Sequence, residues 1–312
     1  MAAGWRTWKP LSCLLASALL LAVWALPATG HETLDDAART AVVSAFAPEM
    51  TVLRAGMDDA AVHVINGVEF VAGVLEGQEV VLFLSGISVV NAAMTVQLAL
   101  DHFRIERIIF SGIAGGVDPS LHIGDVVIAD RWGQYLEMLY ARKVEEGWAK
   151  PPFFEYPFAN FGMMFPRSVT VQRDGADAPE RHFWFPVDEA LLEHARSAVA
   201  NVALDRCFSE GLCLQQTPRI VVGGSGVSGS AFIDNAAFRE YTFETFGARV
   251  LDMESAAVAH VAYANEVPFI AVRSLSDLAG GGEGENQIEA FLGLAANNSA
   301  VVVEALLRAM PE

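Results

Sequence analysis

The chain has 312 residues, 53% of them hydrophobic and 19% charged, which suits one large globular domain or two small ones with a substantial core. A formal net charge of −18 repels phosphate backbones and anionic lipid, so nucleic acid and charged membrane surfaces are excluded as partners.

Arg6 and Lys9 precede an apolar run from Leu11 to Leu26, and the small residues Ala28 and Gly30 then suit cleavage before His31. Residues 1–30 therefore read as a secretory signal peptide. The run is short against the ~20 residues that a spanning helix needs, and no other segment reads as transmembrane. The remainder, 31–312, reads as a single exported, periplasmic domain. Cys13 belongs to the signal. Cys207 and Cys213, in CFSEGLC, stay with the mature chain. In an exported protein so close a pair points to a local disulfide rather than a metal site, with two free buried thiols as the other reading.

After the signal, TAVVSAFAPEM reads as a short buried strand ending in a loop. AVHVINGVEFVAGVLEGQEVVLFLSG reads as successive strands, with Asn66-Gly67 as a hairpin turn. VVNAAMTVQLALDHF carries apolar residues at helical spacing. IERIIFSGIAGGVDP then reads as a buried strand ending in a glycine loop, and HIGDVVIAD as another strand. From Arg131 to about Gln216 aromatics, prolines and both remaining cysteines accumulate. This stretch reads as an irregular insertion with a helix near Asp188–Val202, not as a domain, because no linker flanks it. The core pattern resumes at RIVVGG. A helix follows near Ala236–Phe246, then strand ARVLDM, helix ESAAVAHVAYAN, strand VPFIAVRSLSD, a glycine loop and a last helix to Arg308.

Helices alternating with near-continuous apolar strands predict an α/β domain whose sheet is covered on both faces. Ligands in such folds collect at the carboxyl ends of strands. Glu49, the stretch Ser111–Gly116, the pair Asp252 and Glu254, and the stretch Arg273–Asp277 all stand at such ends. Several chemistries lack their motifs. There is no HExxH and the seven histidines are scattered; there is no GxxxxGK[ST]; GGSGVSGS contains no GxSxG, and GIAGG is not GxGxxG. Carboxylates and backbone amides remain, and neither a metal nor a cofactor is called for. That inventory suits acid/base cleavage of a bond with a cationic transition state, such as a glycosidic bond, including one from ribose to a nitrogen base.

FSGIAGGVDPSLHIGDVVIAD, LDMESAAVAHVAYANEVPFIAVRSLSD and SAFAPEM together resemble the nucleoside phosphorylase/nucleosidase superfamily. The nearest branch in resemblance is that of the 5′-methylthioadenosine/S-adenosylhomocysteine nucleosidases and their exported relatives. The likeness spans the mature chain except the insertion, with the motifs in the right order. It implies a three-layer α/β/α fold with a mixed central sheet, a small-molecule purine nucleoside as substrate, and a homodimer whose partner completes an apolar pocket wall.

It also implies roles. Glu49 matches the acid that activates water, Asp277 the residue that protonates N7 of the purine, and Glu254 the acid that holds the ribose hydroxyls. Met253 matches a residue packing on the sugar. Arg273 and Ser276 match supports of the water and of the catalytic aspartate. Phe232 and Ile233, in SAFIDN, match the base-stacking and base-edge positions; Ile87, Ala114 and Gly115 match the remaining wall. Glu254 is expected at a helix start, where free amides favour a charged carboxylate. Asp252 is open between ligand contact and helix capping. Asp277 needs a raised pKa to donate a proton near neutrality, and FIAVRSLSDLA offers apolar surroundings for one.

Phosphorylases of the superfamily hold phosphate through arginines. Here Phe110 stands at one such position, and SAFAPEM has no basic residue for the other. Water is therefore expected as the nucleophile, with phosphorolysis as the alternative. Ile113 replaces a serine usual in the glycine loop. A nucleoside-binding or storage protein on the same fold is a further alternative, which the joint retention of Glu49, Glu254 and Asp277 opposes.

Overall fold

Runs such as Val42-Val43 and Val80-Val81-Leu82-Phe83, buried throughout, can be satisfied only inside a sheet covered on both sides. The computed structural model describes residues 33–311, apart from 174, 210 and 283. The segment read as a signal peptide lies outside the described residues. From Thr33 onward the chain forms one unit.

Twelve strands make its central sheet. They are β1 (Ala38–Ser44), β2 (Asp58–Ile65), β3 (Val68–Leu75), β4 (Gln78–Leu84), β5 (Arg104–Gly116), β6 (Val126–Ile128), β7 (Arg131–Gln134), β8 (Trp184–Pro186), β9 (Ile220–Val222), β10 (Ser225–Ser228), β11 (Ala248–Asp252) and β12 (Phe269–Asp277). The main path runs β8-β7-β10-β11-β5-β1-β4-β3-β2, while β12 pairs with β5 and β6, and β6 with β9. Pairing is mixed: β1 is parallel to β4 and β5, β12 is parallel to β5, and β11 runs antiparallel to β5. The β2–β3 hairpin turns at Asn66-Gly67, where φ values of 50° and 80° suit the two residue types that tolerate the left-handed region.

Among the described residues six α-helices cover the sheet: α1 (Ala47–Ala55), α2 (Val89–His102), α3 (Glu189–Ala198), α4 (Ala236–Phe246), α5 (Ser255–Ala264) and α6 (Ile288–Ala309). α6 packs on β5, β12, α1 and α3, whereas α2 packs with α5. α6 is long and apolar enough to cross a membrane. Its apolar residues, Leu294, Val302, Val303 and Leu306 among them, instead fill the core.

Three expectations change. SAFAPEM does not end in a loop: Pro48 and Glu49 lie in the first turn of α1, where a proline loses no hydrogen bond. The expected glycine loop Ser111–Gly116 is the end of β5, because β12 and β11 pair with it on its two sides. The expected insertion 131–216 is not all excursion, since β7 and β8 belong to the central sheet. Its other described strands form four small hairpins, 142–144 with 147–149, 138–140 with 164–166, 169–171 with 180–182, and 207–209 with 212–213.

The last hairpin is closed by a Cys207–Cys213 disulfide, as read from the sequence, and it packs on α6. Closing so short a loop stabilises by about 2 kcal/mol on the chain-entropy account. The double variant Cys207→Ser, Cys213→Ser is expected to melt about 4–8 °C lower than the parent. A calorimetric scan checks this, and an unchanged midpoint would show that the bridge does not constrain the unfolded chain.

Candidate active site

The register at the end of β5 assembles the site. Gly115 pairs with Leu251 on one side and with Asp277 on the other. Asp252 and Asp277 therefore flank one glycine at the same sheet end. Gly112 pairs with Arg273, and β1 runs parallel to β5 and delivers α1, with Glu49, to the same edge.

Arg273 is fully buried and lies among three acids. Its Nε is 2.8 Å from Asp252 Oδ2 and donates to Ser255 Oγ at 2.9 Å. Its Nη2 stands 3.8 Å from Glu254 Oε2, and its Nη1 3.9 Å from Glu49 Oε1. The Phe110 ring lies 4.0 Å from the guanidinium carbon, a cation–π contact in a dry setting. Nη2 has no hydrogen-bond partner.

Glu49 is buried, not on the surface. Its Oε2 accepts the N–H groups of Ala45 (2.7 Å) and Phe46 (3.3 Å), and its Oε1 accepts that of Ile113 (2.8 Å). The third residue of α1 thus reaches back to cap its own helix start. Burial raises its pKa against the opposing pull of Arg273 and these three N–H groups.

Glu254 precedes α5, and its Oε1 accepts the Ser88 N–H at 2.7 Å. Ser88 sits at φ 87°, a conformation rare for a side-chain-bearing residue, and that geometry aims its N–H at the carboxylate. Burial first, then the nearby Asp252 charge, push the Glu254 carboxyl up to about 7, against Arg273. Asp252 resolves into a structural role with a view of the site. Its Oδ1 accepts the N–H groups of Glu254 and Ser255, both at 3.2 Å, and the Ser228 hydroxyl; its Oδ2 takes the Ser255 hydroxyl and Arg273.

Asp277 ends β12. Its Oδ1 accepts the Ser276 hydroxyl at 3.0 Å, and its Oδ2 accepts the Ala279 N–H at 2.9 Å and the Asn286 amide at 3.3 Å. Burial raises its pKa above the ordinary aspartate range, against those donors.

One cavity of about 170 Å³ joins these groups. Glu49, Ile87, Ala114, Gly115, Phe232, Ile233, Asp252, Met253, Glu254, Ser276 and Asp277 all line it. Of the residues expected at the site only Arg273 stands behind the wall, where it holds the acids. The cavity shares Ala45, Phe46 and Ile87 with one wider groove, and Ala231, Phe232 and Ile233 with another. Sequence reasoning missed Phe46 and Ile288 in the wall, the Ser88 N–H on Glu254, the Ser228 and Ser255 hydroxyls on Asp252, and Asn286 on Asp277. Ser255 adjoins the acids in DMES and was within reach. Asn286 lies in a glycine-rich loop with no local signal.

The arrangement offers several acids lining one slot, with a buried guanidinium behind its wall. Such a slot can activate a small nucleophile at one end and protonate a leaving group at the other.

The chain matches the model of the Phosphorylase superfamily over residues 39–308. It is 33% identical over 275 residues to a 5′-methylthioadenosine/S-adenosylhomocysteine nucleosidase of Geobacillus kaustophilus, covering 88% of this chain and 98% of that protein. It is 31% identical over 268 residues to the enzyme of the same name from Marinomonas sp., covering 86% and 97%. Among solved structures, an S-adenosylhomocysteine nucleosidase from Streptococcus pyogenes in complex with 5-methylthiotubericidin superposes with a TM-score of 0.65 at 23% identity, covering 89% of this chain and all of that one. That likeness is one of fold.

A Cβ at Gly112 would lie 2.1 Å from Arg273 Nη1 and 2.5 Å from Glu49 Oε1. Gly112→Ala is therefore expected to displace both, costing about 1–3 kcal/mol in unfolding experiments; a parent-like melting curve would disprove the close fit. Glu254 yields a pH test. Its carboxyl is raised from 4.5 to about 7 on folding, so across that window the folded protein binds more protons there and loses stability as pH rises. Glu254→Gln is expected to melt above the parent at pH 8, with the gap closing towards pH 4.5. A lower midpoint at pH 8 would refute the sign.

Proposed function

The chain belongs to the phosphorylase superfamily, and on that premise we propose that it hydrolyses the N-glycosidic bond of a purine nucleoside. The substrates are of the methylthioadenosine and adenosylhomocysteine kind, and the products are a free base and a ribose derivative. The observation that carries this reading is the convergence of Glu49, Glu254 and Asp277, far apart in the chain, on one cavity.

In the reaction Glu49 takes a proton from water as the water oxygen bonds to C1′. The C1′–N9 bond breaks with its electron pair leaving on the base, and Asp277 supplies a proton to N7. Glu254, which lines the cavity beside Met253, in its ionised form accepts the ribose hydroxyls and favours the cationic sugar. A pKa raised by burial brings Asp277 and Glu49 closer to proton transfer near neutrality. Arg273, behind the wall, orients Glu49 and Glu254. Phe232, exposed at the mouth, suits stacking on the base, with Ile233 beside it.

Water is favoured over phosphate by the charges. Among the described residues no lysine or arginine lines the cavity. The nearest cation, Arg273, is engaged by carboxylates and covered by Phe110. A dianion would meet acids without a free counter-charge.

The enzyme acts as a homodimer, and the exposed apolar series Ile87, Val90 and Met94 beside the cavity mouth supports this. It is exported to the periplasm, which the disulfide supports, because such bridges persist in oxidising compartments.

Incubation with methylthioadenosine, adenosylhomocysteine, adenosine and inosine, without phosphate, is expected to release free base from at least one of them. Asp277→Asn is expected to lower kcat by about 10²–10⁴-fold. A phosphate requirement would move the assignment to a phosphorylase, and near-parental turnover in the variant would remove Asp277 from its role.

A further inference from the structure

We propose that Asn286 is a positioning residue for Asp277: its side-chain amide, held between Asp277 and Asp234, sets how readily Asp277 releases its proton. This inference rests on the hydrolase reading, in which that proton goes to N7 of the base.

The amide has one available orientation. Its Oδ1 accepts the N–H of Ile288 at 2.9 Å. Both Nδ2 protons are therefore turned the other way, one to Asp234 Oδ1 at 3.0 Å and one to Asp277 Oδ2 at 3.3 Å. Every polar group of the side chain is used. A flipped amide would set an oxygen against two carboxylates and an N–H against an N–H.

The bridge has a chemical consequence. With Ser276 and the Ala279 N–H, Asn286 completes three donors around Asp277. Donors of this kind favour the ionised carboxylate. They are in place before the proton leaves, so the charge that appears on Asp277 needs no reorganisation to be met. Asp234 works in the opposite sense, as a like charge across the amide. Glu285 lines the same narrow cleft. On the β5 side Asp277 faces Ala114 and Gly115, which carry no charge. Arg273, on the same strand, is engaged by the other three acids, and Arg239 caps the carbonyl of Gly116 at 2.9 Å.

The loop carrying Asn286 is seated. Gly280, at φ 85°, brings its backbone so close that a Cβ would lie 2.3 Å from the Asn235 N. Asn235 N–H donates to the Ala279 carbonyl at 3.2 Å. The loop that bears the amide is thus docked on the segment that bears Asp234.

The test is the pH dependence of kcat, without phosphate, on whichever nucleoside turns over fastest. Activity falls at high pH as Asp277 loses its proton in the bound complex. In Asn286→Ala that alkaline limb is expected to move up by about one pH unit, and the plateau to fall about three- to tenfold. In Asp234→Asn the limb is expected to move down. A purely structural role would lower kcat in Asn286→Ala and leave the limb in place, which would overturn the proposal. The free protein supplies a second measurement: the Asp277 carboxyl stretch, isolated as an infrared difference against Asp277→Asn and titrated with and without Asn286. A higher midpoint in Asn286→Ala is expected and an unmoved one overturns the proposal. Absence of turnover in the parent protein would defeat the hydrolase reading, while the infrared midpoint still decides whether Asn286 controls Asp277.

Discussion

A single guanidinium with no solvent exposure, Arg273, organises three carboxylates at one end of the sheet. Burying a charge is unfavourable unless partners surround it, and removing the lone cation, which would leave three acids without a counter-charge, costs about 3–5 kcal/mol. The cluster is therefore part of the fold before it is part of a site. Glu49 arrives from α1, Asp252 and Glu254 from the β11–α5 junction, and Arg273 from β12, so these four elements are held in one arrangement. Three acids to one cation leaves an excess of negative charge, and burial answers by raising Glu49 and holding Glu254 near 7. Stability is given up where a cationic sugar would be made, a pattern common to functional sites.

The geometry around that cluster depends on what is absent. At Gly112 any side chain would collide with both Arg273 and Glu49. At Gly115 a Cβ would stand only 3.2 Å from the Ala279 Cβ and 3.3 Å from Leu251 Cδ1, tighter than ordinary contact. The small residues of FSGIAGG are thus not loop formers but clearance within a strand. That strand is anchored from behind: Ser299 of α6 accepts the Gly112 N–H at 3.0 Å and shares a hydrogen bond with Ser111.

Much of this was legible before the structure. Buried strands declared themselves by continuous apolar runs, and helices by spacing. The acids at strand ends stood out because each closes a largely apolar run. The glycine loop was misread because glycine usually marks a turn, and no local feature says that two neighbouring strands will pair with it. Glu49 looked like a loop acid because a helix of nine residues beginning Ala-Pro-Glu has too little length to show a period. Ser88 and Asn286 were invisible for another reason. Each acts on a residue more distant in sequence or across a loop, through a backbone N–H or an amide whose orientation only the folded chain fixes. The 131–216 stretch defied pattern reading because its hairpins use strands of only two or three residues, too short to alternate.

Ser299 also bears on where so apolar a helix can reside. A stretch of about 20 apolar residues is long enough to span a bilayer, and each polar group within it makes lipid less favourable surroundings. Ile288–Ala309 is the one described helix long and greasy enough to be retained in the bilayer. Midway along it stand Asn297, Asn298 and Ser299. Asn298 and Ser299 hold the Asp205 and Gly112 amides in the finished molecule. The same polar interruption makes lipid the poorer surroundings for this segment, so one short motif both keeps the helix in the core and ties it to its neighbours.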